Sequence, residues 1–235
     1  MTKDEREFES RLSRFAEGMW IPVRCLCADL TMNDVARGSP AVFEQFNRNA
    51  EFWAVVSHSL HTATFIALHR LFDTDSEDNV YSVLAFAEER PEMFSRASLA
   101  ERRKPFELPS DVHEASPDDF TKLKKEIGRR RTTYDRVYRP IRGKILAHKV
   151  FVGTEIDELY AQTRIDELHE LCGFFPAFQR AMFHWFHNGM RPDLDVRTVS
   201  VGEIRSGAVA EGVQRLVVQA TERALAVFDT RHSDE

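Results

Sequence analysis

The 235 residues are 43% hydrophobic and 30% charged with a formal net charge of −6, which provides for a sizeable core and a solvated surface and excludes a disordered chain. No run of about 18 apolar residues occurs, which excludes a spanning helix, and the charged start MTKDEREFESR lacks the apolar stretch of a signal peptide. Cys25, Cys27 and Cys172 are an odd number with no zinc-site spacing and read as free thiols, so a cytoplasmic protein is expected.

Helical spacing of apolar residues dominates and strand alternation is nearly absent, with only 10 glycines and 9 prolines. A first helix is expected over 4–19 and a second over 22–37, divided at Ile21-Pro22. Ser39-Pro40 supplies a capping hydroxyl and a first-turn proline for a long helix reaching Phe72. Its stripe runs Phe46, Ala50, Trp53, Leu60, Ala67, Leu71, and the polar string from Asp73 to Asp78 stops it. A shorter helix follows over 79–89, then an irregular stretch over 91–115 with one helical turn near 96–103, the best candidate for a mobile surface loop. Ser116-Pro117-Asp118-Asp119 starts a helix expected to reach Val150. Further helices are expected over 164–188, ended by Asn188-Gly189, and over 207–229, with a loop over 190–203. The whole, 1–235, is expected to be a single all-α domain.

Between Pro117 and Val150, eleven Lys and Arg face four acids, so this segment is +7 and the remainder −13. Such asymmetry fits either a local polyanion site or a solvated helical face with acidic neighbours. The apolar stripe of the same helix is Phe120, Leu123, Ile127, Tyr134, Val137, Ile141, Ile145, with a gap at Arg130-Arg131. Its rhythm extends to His148, on the inward face. Arg142 lies six residues earlier, roughly 120° around and about 9 Å along a regular α-helix. Two such helices paired symmetrically would bring both residues of each into one cleft.

The run Arg142-Gly143-Lys144-Ile145-Leu146-Ala147-His148-Lys149 resembles the Arg-polar-x-x-x-x-His motif of the HEPN superfamily. It is most similar to the abortive-infection U-type HEPN family of bacterial phage-defence proteins. The string Ala67-Leu68-His69-Arg70-Leu71-Phe72-Asp73 is similar to the end of that family's long helix, and the resemblance spans residues 40–185. It implies an HEPN-like helical bundle, with its core over 40–188, that forms a homodimer. It also implies a metal-independent, cofactor-free endoribonuclease site where the two motif helices meet, with RNA as substrate and a cognate antitoxin as a further partner of such a toxin. Carried over by position, Arg142 and His148 are the catalytic pair. Histidine transfers protons near neutral pH, and arginine offers a charged fork to phosphate oxygens. Lys144, Lys149, Arg139 and Arg136 are the residues expected to hold RNA phosphates. The family's second motif position is usually Asn, Asp or His. Gly143 stands there instead, and it favours the alternative of a catalytically silent helical module that binds RNA or a protein partner.

Two other readings are weaker. His58, His61 and His69 share a region of one helix and His184 and His187 another, but no acidic residue completes a metal set. Phe174, Phe175, Phe178, Phe183, Trp185 and Phe186 crowd a helix that belongs either in the core or at a subunit surface. Only Tyr134 and Tyr138 are interleaved with arginines as a base-stacking platform requires, and their place on the stripe implies partial burial.

Overall fold

The computed structural model describes residues 1–143, 161–198, 200–206 and 212–230, and every regular element among them is helical. In chain order these are α1 (Lys3–Gly38), α2 (Pro40–Arg48), α3 (Ala50–Phe72), α4 (Val80–Glu88), a 3-10 turn (Pro91–Phe94), α5 (Arg96–Arg103) and α6 (Pro117–Thr133). The axis of α6 continues through a π turn (Tyr134–Tyr138) and a short α segment (Arg139–Ile141). Then come α7 (Ile165–Asn188), α8 (Val201–Ser206) and α9 (Gly212–Thr230). No described helix is long and apolar enough to cross a membrane.

Contacts divide the chain into two compact units, Met1–Met19 with Ala67–Arg197, and Trp20–Ile66 with Thr198–Glu235. The first unit is organised by aromatic rings. Phe94 meets Trp185 at 4.3 Å and Phe8 at 5.5 Å, Phe8 meets Phe186 at 5.0 Å, and Phe72 meets Phe175 at 4.8 Å. Each such pair adds about 0.5–1.5 kcal/mol beyond the area it buries. Four of the crowded phenylalanines of α7 are core residues, Phe174, Phe175, Phe178 and Phe186 being fully buried, whereas Phe183 is exposed. Gly189 ends α7 at φ 65°, and a Cβ there would meet Leu99 and Val112 at 2.8 and 2.9 Å, so only glycine fits this cap.

One charge pair is buried within that core. Glu5 of α1 and Arg102 of α5 both have side chains 4% exposed, and they bond to each other. The Arg102 guanidinium also donates to the carbonyls of Met93 and Phe186 and lies 4.0 Å over the Phe186 ring. The second unit has a smaller core of Met32, Ala36, Val42 and Leu225, flanked by Trp53 stacked on Phe46 at 4.2 Å. In that unit Asp29 is buried and accepts from Ser57 (2.6 Å) and from His61 (3.1 Å).

Several boundaries differ from expectation for physical reasons. Pro22 does not divide the first two helices; it lies inside α1. A proline forfeits one helical hydrogen bond, but buried Met19, Val23, Leu26 and Cys27 anchor the helix on both sides. The long helix expected from 39 to 72 breaks at Asn49, whose side-chain amide and backbone N–H both bond the Gln45 carbonyl, the local competition with helix that asparagine offers. The stretch after Pro91 is not a mobile loop through its first half: Met93, Phe94 and Leu99 are core residues. Part of the loop expected over 190–203 is helical in α8. The three cysteines are free, Cys27 and Cys172 buried and Cys25 half-buried.

Candidate functional site around Arg142

The helix that carries Arg142 is firmly started. The Asp119 carboxylate accepts from the Ser116 backbone N–H (3.0 Å) and hydroxyl (2.6 Å) and from His113 (2.9 Å). Burial by itself raises the Asp119 carboxyl, but these bonds outweigh it and hold the group below its usual range. Phe120, Leu123, Ile127, Tyr134, Val137 and Ile141 are all buried, as the stripe predicts. The gap in that stripe is filled by Arg130, which is 4% exposed, with its guanidinium 3.0 Å from Glu170 and 5.6 Å over the Phe174 ring.

Regular α geometry gives way at Tyr134. The Arg139 N–H bonds the Tyr134 carbonyl five residues back, which defines the π turn. Pro140 accounts for it. In a regular helix its ring would collide with the carbonyl of residue 136, and a wider turn just ahead displaces that carbonyl. Arg142 and Gly143 follow, both half-buried.

The turn packs Tyr134 against the C-terminus of α3. Tyr134 is fully buried, with its ring 5.3 Å from Phe72 and its hydroxyl 3.1 Å from Nδ1 of His69. The other His69 nitrogen, Nε2, is 3.7 Å from Asp73, beyond hydrogen-bond length. Arg131 donates to the Phe72 carbonyl and pairs with Asp135 at 2.7 Å, placing a cation on the last turn of α3.

Arg142 is the strongest charge acting on both His69 and Tyr134. Burial, then the Arg142 charge, lowers the His69 imidazole below its ordinary value; Arg139 and Arg131 add to this and Asp73 opposes it. His69 is consequently neutral at pH 7. Burial pushes the Tyr134 phenol up to about 12, against the pull of Arg142, so the hydroxyl keeps its proton. A neutral imidazole and a phenol thus meet at the end of α3 under the charge of Arg142.

The other expected site residues lie differently. Arg136 is exposed and pairs with Glu167 at 3.1 Å; Arg139 is exposed and bonds Asp135 at 3.4 Å. Lys144, His148 and Lys149 lie outside the described residues. Much of the +7 segment has acidic neighbours: Lys124 meets Glu88 at 2.6 Å, and Arg129 meets Glu170 at 3.5 Å. A groove of about 680 Å³ beside α6 likewise mixes Lys122, Lys125 and Arg129 with Glu170, Asp193 and Asp195. Tyr134 and Tyr138 are fully buried and offer no stacking platform.

Nor do the histidine groups form metal sets. His61 pairs with Asp29, His184 accepts from the Asn188 amide (2.8 Å), and His187 meets Glu9 (3.4 Å). Among the described residues no cluster of three or more His, Cys, Asp and Glu could hold an ion. Sequence reasoning missed the pairing of His69 with Tyr134. Its one available signal was that each residue has arginine close by in sequence, Arg70 after His69 and Arg129, Arg130 and Arg131 ahead of Tyr134.

The sequence profile of the AbiU2 HEPN proteins matches residues 5–175. The chain belongs to the AbiU2 family of HEPN proteins. The match covers well over half of the chain and contains the whole Arg142–His148 motif together with the C-terminus of α3. It begins at residue 5, so that α1, which the motif-based resemblance left outside, lies within the AbiU2 region. No curated protein and no solved structure matches the chain.

Proposed function

We propose that this AbiU2-family protein is a metal-independent endoribonuclease of the abortive-infection type, acting as a homodimer. In this reading Arg142 binds the scissile phosphate and His148 transfers protons, with Lys144, Lys149, Arg136 and Arg139 guiding the RNA backbone. Family membership and the intact Arg and His of the motif support it. The observation that carries it furthest is the position of Arg142, half-buried and electrostatically dominant over a neutral histidine and a phenol. A guanidinium freed from carboxylates is the group that stabilises charge on a pentacoordinate phosphorus. Among the described side chains no carboxylate lies within ion-pair distance of Arg142, in contrast to Arg136 and Arg139.

The test is cleavage of total RNA and tRNA in EDTA by wild type and by folded His148→Ala. Cleavage by the wild type alone supports the reading; no cleavage of any RNA by either removes it. A second reading, a catalytically silent module binding RNA or a protein, is favoured by Gly143, which supplies no polar side chain, and by the ion pairs of the basic segment. Salt separates its two forms, because RNA held by Lys and Arg is released steeply as salt rises and a protein partner held by apolar contact is not.

A further inference from the structure

The ribonuclease reading leaves His69 without a role, although the charge of the motif arginine acts on it from a different helix. We infer that His69 is the general base of the cleavage step, held in place by Tyr134 and working beside Arg142. This inference rests on the endoribonuclease reading and assigns the site a proton acceptor contributed by α3.

Three observations converge on the residue. The first is orientation. Nδ1 is 3.1 Å from the Tyr134 hydroxyl, and Tyr134 is itself fixed by full burial against Phe72. An imidazole oriented through one nitrogen by a fixed neighbour has its other nitrogen aimed. The tautomer with Nδ1–H donating to the Tyr134 oxygen leaves the lone pair on Nε2. The second is access. The His69 side chain is 21% exposed, and Nε2 is 3.7 Å from Asp73, too far for a hydrogen bond to tie it up. A histidine serving only the core would be closed off. The third is the charge around it. Among the described residues the groups acting on the ring are Tyr134, Asp73, Arg142, Arg139 and Arg131, three of them cations. Burial first, and then these cations against Asp73, keep the ring unprotonated and ready to accept, while the same Arg142 charge is available to the phosphate.

The chemistry balances without any further reagent. His69 Nε2 takes the proton of the 2′-hydroxyl as O2′ forms its bond to phosphorus. The P–O5′ bond breaks, and O5′ takes up a proton from water. The products are a 2′,3′-cyclic phosphate and a 5′-hydroxyl. One proton enters the protein at His69 and one is supplied by water, and release of the His69 proton to water resets the base.

The test uses the full chain on tRNA in EDTA and follows kcat and KM across pH. His69→Gln is expected to lower kcat by about 10²–10⁴-fold, the usual contribution of a general base, with KM changed less than about threefold and the helical circular dichroism retained. Asp73→Asn removes the carboxylate that raises the His69 value, so the acid limb of kcat/KM must move to lower pH. A purely structural His69 would lower the melting temperature in His69→Gln and leave that limb where it is. A His69→Gln enzyme within about threefold of wild type overturns the inference while the ribonuclease reading stands. If His69→Gln does not fold, the limb in Asp73→Asn decides alone, and an unmoved limb overturns the inference. A wild type that cuts no RNA removes both.

Discussion

The hydroxyl of Tyr134, in the π turn after α6, lies 3.1 Å from Nδ1 of His69, in the last turn of α3. This contact joins two strings that are 65 residues apart in sequence, and Arg142 acts on both of its members. Burial and the Arg142 charge each lower the His69 value, so removing the charge must raise it. Arg142→Gln is expected to shift the His69 midpoint upward in an NMR titration of the imidazole, toward or past the ordinary histidine value of about 6.5. An unchanged midpoint would mean that Arg142 does not reach His69 in solution.

Glu5 and Arg102 form a pair whose side chains are almost wholly withdrawn from water, and each is the other's nearest opposite charge among the described residues. Removing one partner strands the other. Glu5→Gln and Arg102→Met are each expected to cost about 3–5 kcal/mol in urea unfolding. Making both changes together should cost less than the sum of the single losses, since neither charge is then stranded. Strict additivity would show that the pair is not coupled.

Asp119 supplies a pH dependence with a definite sign. Its folded value is depressed, so its contribution to stability is complete above the unfolded carboxylate value of about 3.9 and is lost as pH falls through the lower folded value. Asp119→Asn should lower stability at pH 7 and flatten the decline of stability below about pH 4. A decline as steep as wild type's would place the acid sensitivity elsewhere.

Gly128 lies on the exposed face of α6, and a Cβ built there meets nothing within 4 Å of the described atoms. Gly128→Ala is expected to stabilise the protein by about 0.4–1 kcal/mol by restricting the unfolded chain. Calorimetry should show a melting temperature higher by a few degrees; a lower one would mean that this face is occupied in solution.

Gly143 has the same freedom within the motif: no described atom comes within 4 Å of its built Cβ. Gly143→Asn is therefore expected to fold as wild type and, by supplying the polar group usual at this position, to raise the rate of RNA cleavage. Equal rates for the two proteins would show that Arg142 needs no polar neighbour.

The helical class and most helix ends were legible because they depend on local chemistry. Ser39, Asn79, Ser116 and Gly189 cap where their side chains or their freedom of φ dictate. The break at Asn49 is local chemistry, its side chain competing for the Gln45 carbonyl inside a stripe that otherwise reads as unbroken, whereas the continuity of α1 through Pro22 depends on packing that no local rule contains. Arg130 fell on the apolar stripe by spacing alone, but its charge disguised it as a surface residue; Glu170, Glu126 and the Phe174 ring make its burial tolerable. The motif gave Arg142 from sequence. It did not give His69, because the connection between α3 and the π turn is tertiary. Nor did the charge of the +7 segment announce how many of its cations would be answered by Glu88, Asp135, Glu167 and Glu170.

The π turn from Tyr134 to Tyr138 sets the bearing of Arg142. A helix advances about 100° per residue, so deleting one residue there and restoring regular winding would swing Arg142 by roughly a quarter-turn. Every residue of the motif would still be present and in order. Competence in this chain is accordingly a matter of phase as well as composition: the same arginine after an uninterrupted helix would point at a different wall. Insertions or deletions between Ser116 and Arg142 should be far less tolerated than substitutions on the exposed face of the same segment.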